Sequence, residues 1–294
     1  MSHHICPVCA SAMTADKIHG WLFACPRCGF LSSTLNVDIS SAPSQPQKAI
    51  NEQARQTALK DLRQKNFAGI LNALQKFISS SPNHSLCDVG CAHGWFLGMA
   101  AQRGYAATGI EPDGEMAAIA TQTGANILVG FFPNVLSPES TFDVITFNDV
   151  LEHLPDIKGQ LCAAASHLAD GGLLVVNGPS SAGILYRIAA LLNAFGMRKP
   201  FLRMWQHGFP SPHLSYFSPG HLRRITRELG LEEVFCQRLE AINTRGLWQR
   251  LTYDRSANIF VSLMAFAGIT VLSPFLALFP ADINVQIFRK IRHV

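Results

Sequence analysis

The run from Ser85 to Gln102 constrains this chain more than any other stretch. Ser85 to Val89 is a short apolar segment that reads as a buried strand. It ends in Asp88-Val89-Gly90-Cys91-Ala92-His93-Gly94, and Trp95 to Gln102 then has helical composition. A second strand, Ala106 to Ile110, delivers Glu111. That is about twenty residues past Gly90, the spacing at which an acid in a doubly wound fold reaches ribose hydroxyls. A dinucleotide fingerprint needs Gly at the second and third positions of G-x-G-x-x-G, where this chain has Ala92 and Trp95, which obstruct a pyrophosphate. The loop suits a ligand without phosphates. Gly90 and Gly94 let the backbone come close, and Asp88 can accept hydrogen bonds from an ammonium group.

S-adenosylmethionine has that anatomy. Further strands are expected at Ala125 to Val129, Phe142 to Phe147, Leu173 to Asn177, Leu231 to Gln237 and Ile283 to Phe288, the last as an edge strand beside the sixth. They alternate with helix-compatible stretches, which predicts an α/β fold: a doubly wound, Rossmann-like sheet of seven strands. Ligands of such sheets lie at the carboxyl ends of the strands. Asp88, Glu111, Gly130 with Phe131, and Asn148 all fall at such ends, so one crevice is expected to gather them.

From Leu86 to Arg289 the chain resembles the class I S-adenosylmethionine-dependent methyltransferases, in the broad group that includes ubiquinone-type methyltransferases. The resemblance is carried by Leu86-Cys87-Asp88-Val89-Gly90-Cys91-Ala92-His93-Gly94, Gly109-Ile110-Glu111-Pro112, Phe142-Asp143-Val144-Ile145, Val150-Leu151-Glu152-His153-Leu154 and Leu168-Ala169-Asp170-Gly171-Gly172. It implies that Phe131 and Phe132 lie against the adenine and that Asn148 lines the methionine side. It also places Gly208 to Pro219 in the segment before the sixth strand, with Ser218 capping a helix whose first residue is Pro219. The chain departs from the family pattern at Ala92, where a Gly is commoner, and after the third strand, where an adenine-contacting Asp is missing.

At the N-terminus, Cys6-Pro7-Val8-Cys9 and Cys25-Pro26-Arg27-Cys28 are separated by fifteen residues. This is the four-thiolate spacing of a zinc ribbon. Ala10 and Gly29 close the two turns, and Trp21, Leu22 and Phe23 supply a hairpin strand. Metal would substitute for a core that some thirty residues cannot build. Such a ribbon, fused to this domain, resembles those of some sugar-modifying and ribosomal RNA guanine methyltransferases, which implies substrate docking. The expected organisation is a ribbon over 1–35, a linker over 36–47, one or two N-terminal helices over 48–84 whose apolar spacing is broken once at Gly69, and the methyltransferase domain over 85–294.

Methyl transfer asks the protein to align an acceptor and remove its proton where it has one. His153, just past the fourth strand, is the first candidate base, with a local hydrogen-bonding role as its alternative. His213 and Tyr216 are second-rank candidates, with loop anchoring as theirs. Glu152 reads as a solvated or locally bonded acid, Cys87 and Cys91 as buried thiols, and Cys162 and Cys236 as core residues.

Charged residues make up only 15% of the chain and apolar ones 48%, so some apolar surface should be exposed. Two insertions concentrate it. Residues 182–206 place Ile184, Ile188, Leu191 and Phe195 on one face with Arg187, Arg198, Lys199 and Arg203 nearby, and residues 257–279 carry no charge. With no apolar leader in Met1 to Ala10, the expectation is a cytoplasmic protein, peripheral on the cytosolic side of a membrane, whose second insertion lies in the interface rather than spanning it. The alternative is a buried cap or dimer contact. The 24 Lys and Arg are scattered, so nucleic acid is not favoured as a partner. The expected activity is methyl transfer, with S-adenosylmethionine and Zn as cofactors, to a small-molecule or lipid-linked acceptor such as a glycan precursor or quinone-like compound. RNA or protein methylation with the ribbon as docking module, and a non-catalytic binding protein that keeps the fold, stay open, as does the oligomeric state.

Overall fold

The computed structural model describes residues 4–37, 52–78, 83–241, 247–252, 259–272, 275 and 278–291. Most of the linker, from residue 38, lies outside them. The elements in chain order are β1 (Thr14–Ala15), β2 (Leu22–Ala24), β3 (Leu31–Ser33), α1 (Glu52–Leu74), β4 (Ser85–Val89), α2 (Trp95–Ala101), β5 (Ala106–Glu111) and α3 (Gly114–Thr121). Then come β6 (Asn126–Val129), β7 (Phe142–Asn148), a 3-10 turn (Leu151–His153), α4 (Ile157–His167), β8 (Leu168–Pro179), α5 (Ile184–Ala194), α6 (Arg198–Met204), β9 (Ser215–Tyr216) and α7 (Pro219–Glu228). The chain closes with β10 (Leu231–Leu239), α8 (Leu247–Thr252), α9 (Ile259–Leu272) and β11 (Ile283–Lys290).

All seven expected strands form one sheet, in the order β10-β11-β8-β7-β4-β5-β6. Every neighbouring pair from β8 to β6 is parallel, and only β11 runs against its neighbours. The last strand is not an edge: β11 pairs with β8 on one side and β10 on the other. The period-2 alternation of the strands divides the core between the two faces. Leu86, Val144, Leu173, Val175, Val285 and Ile287 pack with α1 and α2 residues such as Ile70, Leu71 and Leu97. On the other face, Val89, Ile145, Phe147, Leu174, Val176 and Phe288 pack with α4 and α7 residues Leu161, Leu222 and Ile225.

The N-terminal ribbon joins this second face, with Cys6, Val8, Cys9, Cys25 and Phe30 in the same buried cluster. Its β1-β2-β3 hairpins are extended by β9, a strand distant in sequence. A third cluster, Leu22, Tyr186, Phe201, Trp205 and Tyr216, ties the ribbon to α5 and α6.

Of the one or two N-terminal helices expected, one is present: α1 runs uninterrupted through half-buried Gly69, because a helical Gly costs only about 1 kcal/mol and Phe67, Ile70, Leu71 and Leu74 bury the flanking turns. Two further expectations change. Cys162 and Cys236 are exposed, since each sits on the outward side of its element. Glu152 is buried, at 2% exposure. Of the second apolar insertion, α9 covers 14 residues. Among the described residues no helix is long and apolar enough to cross a membrane.

Candidate functional site

The sheet reverses its winding between β4 and β7, which pair with each other while their connections run to opposite sides. A crevice opens at such a switch point, outside the carboxyl ends of the strands. Asp88 is next to last in β4, Glu111 ends β5 and Asn148 ends β7, so the register alone brings them together.

Gly90 has φ +69°, and a Cβ there would lie 2.7 Å from a methyl of Val150. The turn therefore needs glycine both for its left-handed backbone and for the close passage of the next strand's loop. Ala92 sits at φ +46°, a conformation a residue with a Cβ seldom holds unaided. What holds it is Glu111. One carboxylate oxygen accepts from the Ala92 N–H at 2.8 Å, the other from the Asp113 N–H at 2.9 Å. The acid read as a ribose ligand thus also clamps the glycine loop onto β5.

Asp88 is 2% exposed. Its Oδ1 accepts from the Thr146 hydroxyl and from Asn148 Nδ2 at 2.8 Å. Asn148 Oδ1 in turn accepts from Asn177 Nδ2 at 3.1 Å, and Asn177 Oδ1 accepts from the Asp149 N–H. Thr146 and Asn177 carry no sequence signal for this role; only the parallel register of β4, β7 and β8 lines them up. Burial pushes the Asp88 carboxyl up to about 7, against the lowering effect of its two donors. A ligand ammonium would pair only with the carboxylate, and the apo protein protonates that group below about pH 7. Affinity for S-adenosylhomocysteine should fall about tenfold per unit below that pH. Calorimetry between pH 5.5 and 8.5 checks this, with Asp88→Asn expected to be flat and weak throughout.

Phe131, after β6, is 57% exposed, whereas Phe132 is buried against Phe147 and His167. Only Phe131 therefore offers a free ring face.

The three candidate bases separate. His153 Nδ1 lies 2.9 Å from the Pro212 carbonyl, which can only accept, so Nδ1 carries a proton; the Ser211 hydroxyl lies 3.2 Å from the same nitrogen. Nε2 is 3.9 Å from a Glu152 oxygen. His213 stands beside it, ring centroids 4.8 Å apart, but burial and the His153 charge push its pKa down to about 3. It stays neutral and is a poor proton acceptor. Tyr216 is packed among Tyr186, Trp205 and His213, donates its hydroxyl to the Met204 carbonyl at 2.8 Å, and is pushed well above its ordinary pKa by burial. Its hydroxyl is thus committed to a backbone carbonyl within an aromatic cluster.

In the ribbon, the Sγ atoms of Cys6 and Cys28 are 3.5 Å apart and those of Cys9 and Cys25 3.4 Å, with all four inside 4.8 Å of one another. A tetrahedral site with bonds of about 2.3 Å would have edges of roughly 3.8 Å, so the four thiols fit a zinc-sized ion. Both turns close alike, Ala10 N–H on Cys6 O and Gly29 N–H on Cys25 O, with left-handed residues at Ala10 and Gly29.

Residues 55–234, well over half of the chain, match the methyltransferase domain family. The chain belongs to that family. A ubiquinone biosynthesis O-methyltransferase of Paramagnetospirillum magneticum is 33% identical over 96 residues, 31% of this chain and 39% of that protein. The match therefore spans well under half of this relative's length. Among solved structures, a chain of the complex between the Haloferax volcanii Trm112 methyltransferase activator and its methyltransferase partner aligns with TM-score 0.55 at 15% identity, over 82% of this chain and 96% of that one. Magnesium protoporphyrin IX methyltransferase of Synechocystis with bound S-adenosylhomocysteine aligns with TM-score 0.52 at 12% identity, over 85% and 90%. These likenesses concern the fold. In this methyltransferase-domain chain, the glycine loop, Glu111 and the Asp88 network occupy the sheet's switch point.

Proposed function

We propose that this chain is an S-adenosylmethionine-dependent methyltransferase that acts on a small-molecule or lipid-linked acceptor at a membrane face, with a structural zinc in its ribbon. The observation that carries the cofactor assignment is the pair Asp88 and Glu111: two buried carboxylates, each held by donors, at adjacent strand ends of the switch point. Bound there, S-adenosylmethionine would supply an activated sulfonium methyl. Asp88 would hold its ammonium, Glu111 its ribose, Phe131 its adenine, and Asn148 would line the methionine side, with Gly90 and Gly94 giving backbone access. His153 is the proposed base: with Nδ1 donating to the Pro212 carbonyl, the neutral ring would take the acceptor's proton on Nε2.

The surface supports the acceptor class. On α5 and the turn after it, Ile188, Leu191, Phe195 and Met197 face outward, at 45 to 76% exposure, while Tyr186, Ala189 and Asn193 face the core. Exposed Arg187, Arg198, Lys199 and Arg203 flank them. Outward apolar side chains ringed by cations suit an anionic bilayer, where apolar insertion and charge attraction add.

The test is transfer of labelled methyl from S-adenosylmethionine to lipid and polar extracts in parallel, together with sedimentation on anionic vesicles. A labelled acceptor in the lipid extract is expected. Vesicle binding should fall with salt and be lost on Leu191→Glu with Phe195→Glu. Label confined to polar products, with no vesicle binding, would reject the membrane reading and keep the enzyme.

A further inference from the structure

The segment from Pro212 to Phe217 lies between two neighbours far away in sequence. On the catalytic side, the Pro212 carbonyl accepts from His153, the Leu214 N–H donates to the Glu152 carbonyl at 2.8 Å, and the Phe217 carbonyl accepts from the Ser181 N–H at 2.7 Å. On the other side stands the ribbon. Leu31 and Ser32 of β3 pair with Tyr216 and Ser215, the Ser33 N–H donates to the Leu214 carbonyl, and the Ser33 hydroxyl to the His213 carbonyl, both at 2.8 Å. The segment that holds His153 Nδ1 thus contributes a strand to the ribbon's own sheet.

A second tie runs from a thiolate turn to α7. His221 Nε2 lies 2.8 Å from the carbonyl of Cys28, and its Nδ1 accepts from the Ser218 N–H at 3.0 Å. A carbonyl only accepts and an amide N–H only donates, so the neutral Nε2–H tautomer is required. His221 caps the helix that follows the segment and in the same ring grips the turn carrying Cys25 and Cys28. Phe30, two residues past Cys28 and wholly buried, packs its ring on both Phe217 and His221.

We infer that the ribbon is a metal-dependent clamp on the acceptor side of the crevice, with His221 the positioning residue that couples the thiolate turn to the segment Pro212 to Phe217. The reason is adjacency: Cys25 and Cys28 immediately precede β3, so an ion shared by the four thiols would fix the turn from which β3, Phe30 and the His221 contact all start. Once β3 loosens, the segment loses its outer pairing and the loop carrying Pro212 and His213 is held from one side only. The inference rests on the reading of the four Cys as a zinc site. Coupling is reciprocal, so whatever loosens the clamp must also loosen the metal.

Two measurements on the full-length zinc-loaded protein test it. Amide exchange over 212–218 should rise at least tenfold on zinc removal by a chelator, while S-adenosylhomocysteine affinity changes less than about threefold. In His221→Ala, zinc release to a chromogenic chelator should speed up about five- to tenfold, the effect of one lost buried hydrogen bond. His221→Gln, which can donate with Nε2 and accept with Oε1, should restore the slow release. Ser33→Ala, which keeps the backbone pairing, should raise exchange at His213 and Leu214 alone. Unchanged exchange over 212–218 in the zinc-free protein, or identical release from wild type and His221→Ala, would overturn the clamp. Failure to bind S-adenosylhomocysteine at all would instead reject the cofactor reading and leave the exchange and release results to judge the clamp.

Discussion

Glu111→Ala should weaken binding of S-adenosylhomocysteine about a hundredfold, the largest loss expected of any single substitution in the crevice. The side chain is asked to do two things. It accepts from the Ala92 and Asp113 N–H groups and so keeps the glycine loop against β5, and it is the proposed partner of the ribose. Hydrogen bonds to a charged group contribute about 1.5 to 3 kcal/mol each, and about 2.7 kcal/mol corresponds to a hundredfold. The loss of the loop tether adds to the loss of the ribose contact, because Ala92 then has no reason to stay at φ +46°. Glu111→Gln keeps one acceptor oxygen but sets an NH2 group against a backbone donor, so an intermediate loss of about tenfold is expected. Calorimetry on both variants, with unfolding curves to confirm that β5 stays paired, decides the matter. Wild-type affinity in Glu111→Ala would remove Glu111 from the cofactor site.

The double replacement Cys6→Ser with Cys9→Ser should abolish metal binding. Elemental analysis of protein purified under reducing conditions without chelator should find one zinc per wild-type chain, and less than about a tenth of that in the variant, since two of four thiolates cannot close a tetrahedral shell. The sheet should survive, with S-adenosylhomocysteine still bound, because β4 to β8 bury their own core. Stability should nevertheless drop: Cys6, Val8, Cys9 and Phe30 belong to the same buried cluster as Val89 and Phe147, so a loosened ribbon exposes part of that face. A melting temperature lower by several degrees is expected, at roughly 2–4 °C per kcal/mol for a chain of this size. Zinc-free wild-type protein would reject the metal site.

How much of this was legible in the residues depends on how local the cause is. The seven strands were, because strands buried on both faces announce themselves as short apolar runs between turn residues, and each of Ser85 to Val89, Phe142 to Phe147 and Ile283 to Phe288 is such a run. The four Cys were legible because their spacing already closes two tight turns. Gly90 was too: a left-handed turn at a strand end needs glycine whatever surrounds it. The candidate bases were the weakest part. His153, His213 and Tyr216 look alike as polar residues near a strand end, and what separates them is burial and partners set by the rest of the chain.

By itself, then, the sequence determined the α/β class, the set of strands, the paired cysteine turns and the acids at the strand ends, all from periodicity and short spacings acting within about twenty residues. Tertiary structure alone decided the rest. The place of β11 between β8 and β10, the Asp88–Asn148–Asn177 relay, the burial of Glu152 and the exposure of Cys162 all follow from which strands pair and which faces meet. So does the pairing of Leu31 and Ser32 with Tyr216 and Ser215, across more than half the chain. A strand's apolar pattern says that it must be covered but not by what; only the packing of distant segments, which competes over all alternatives at once, settles the partner.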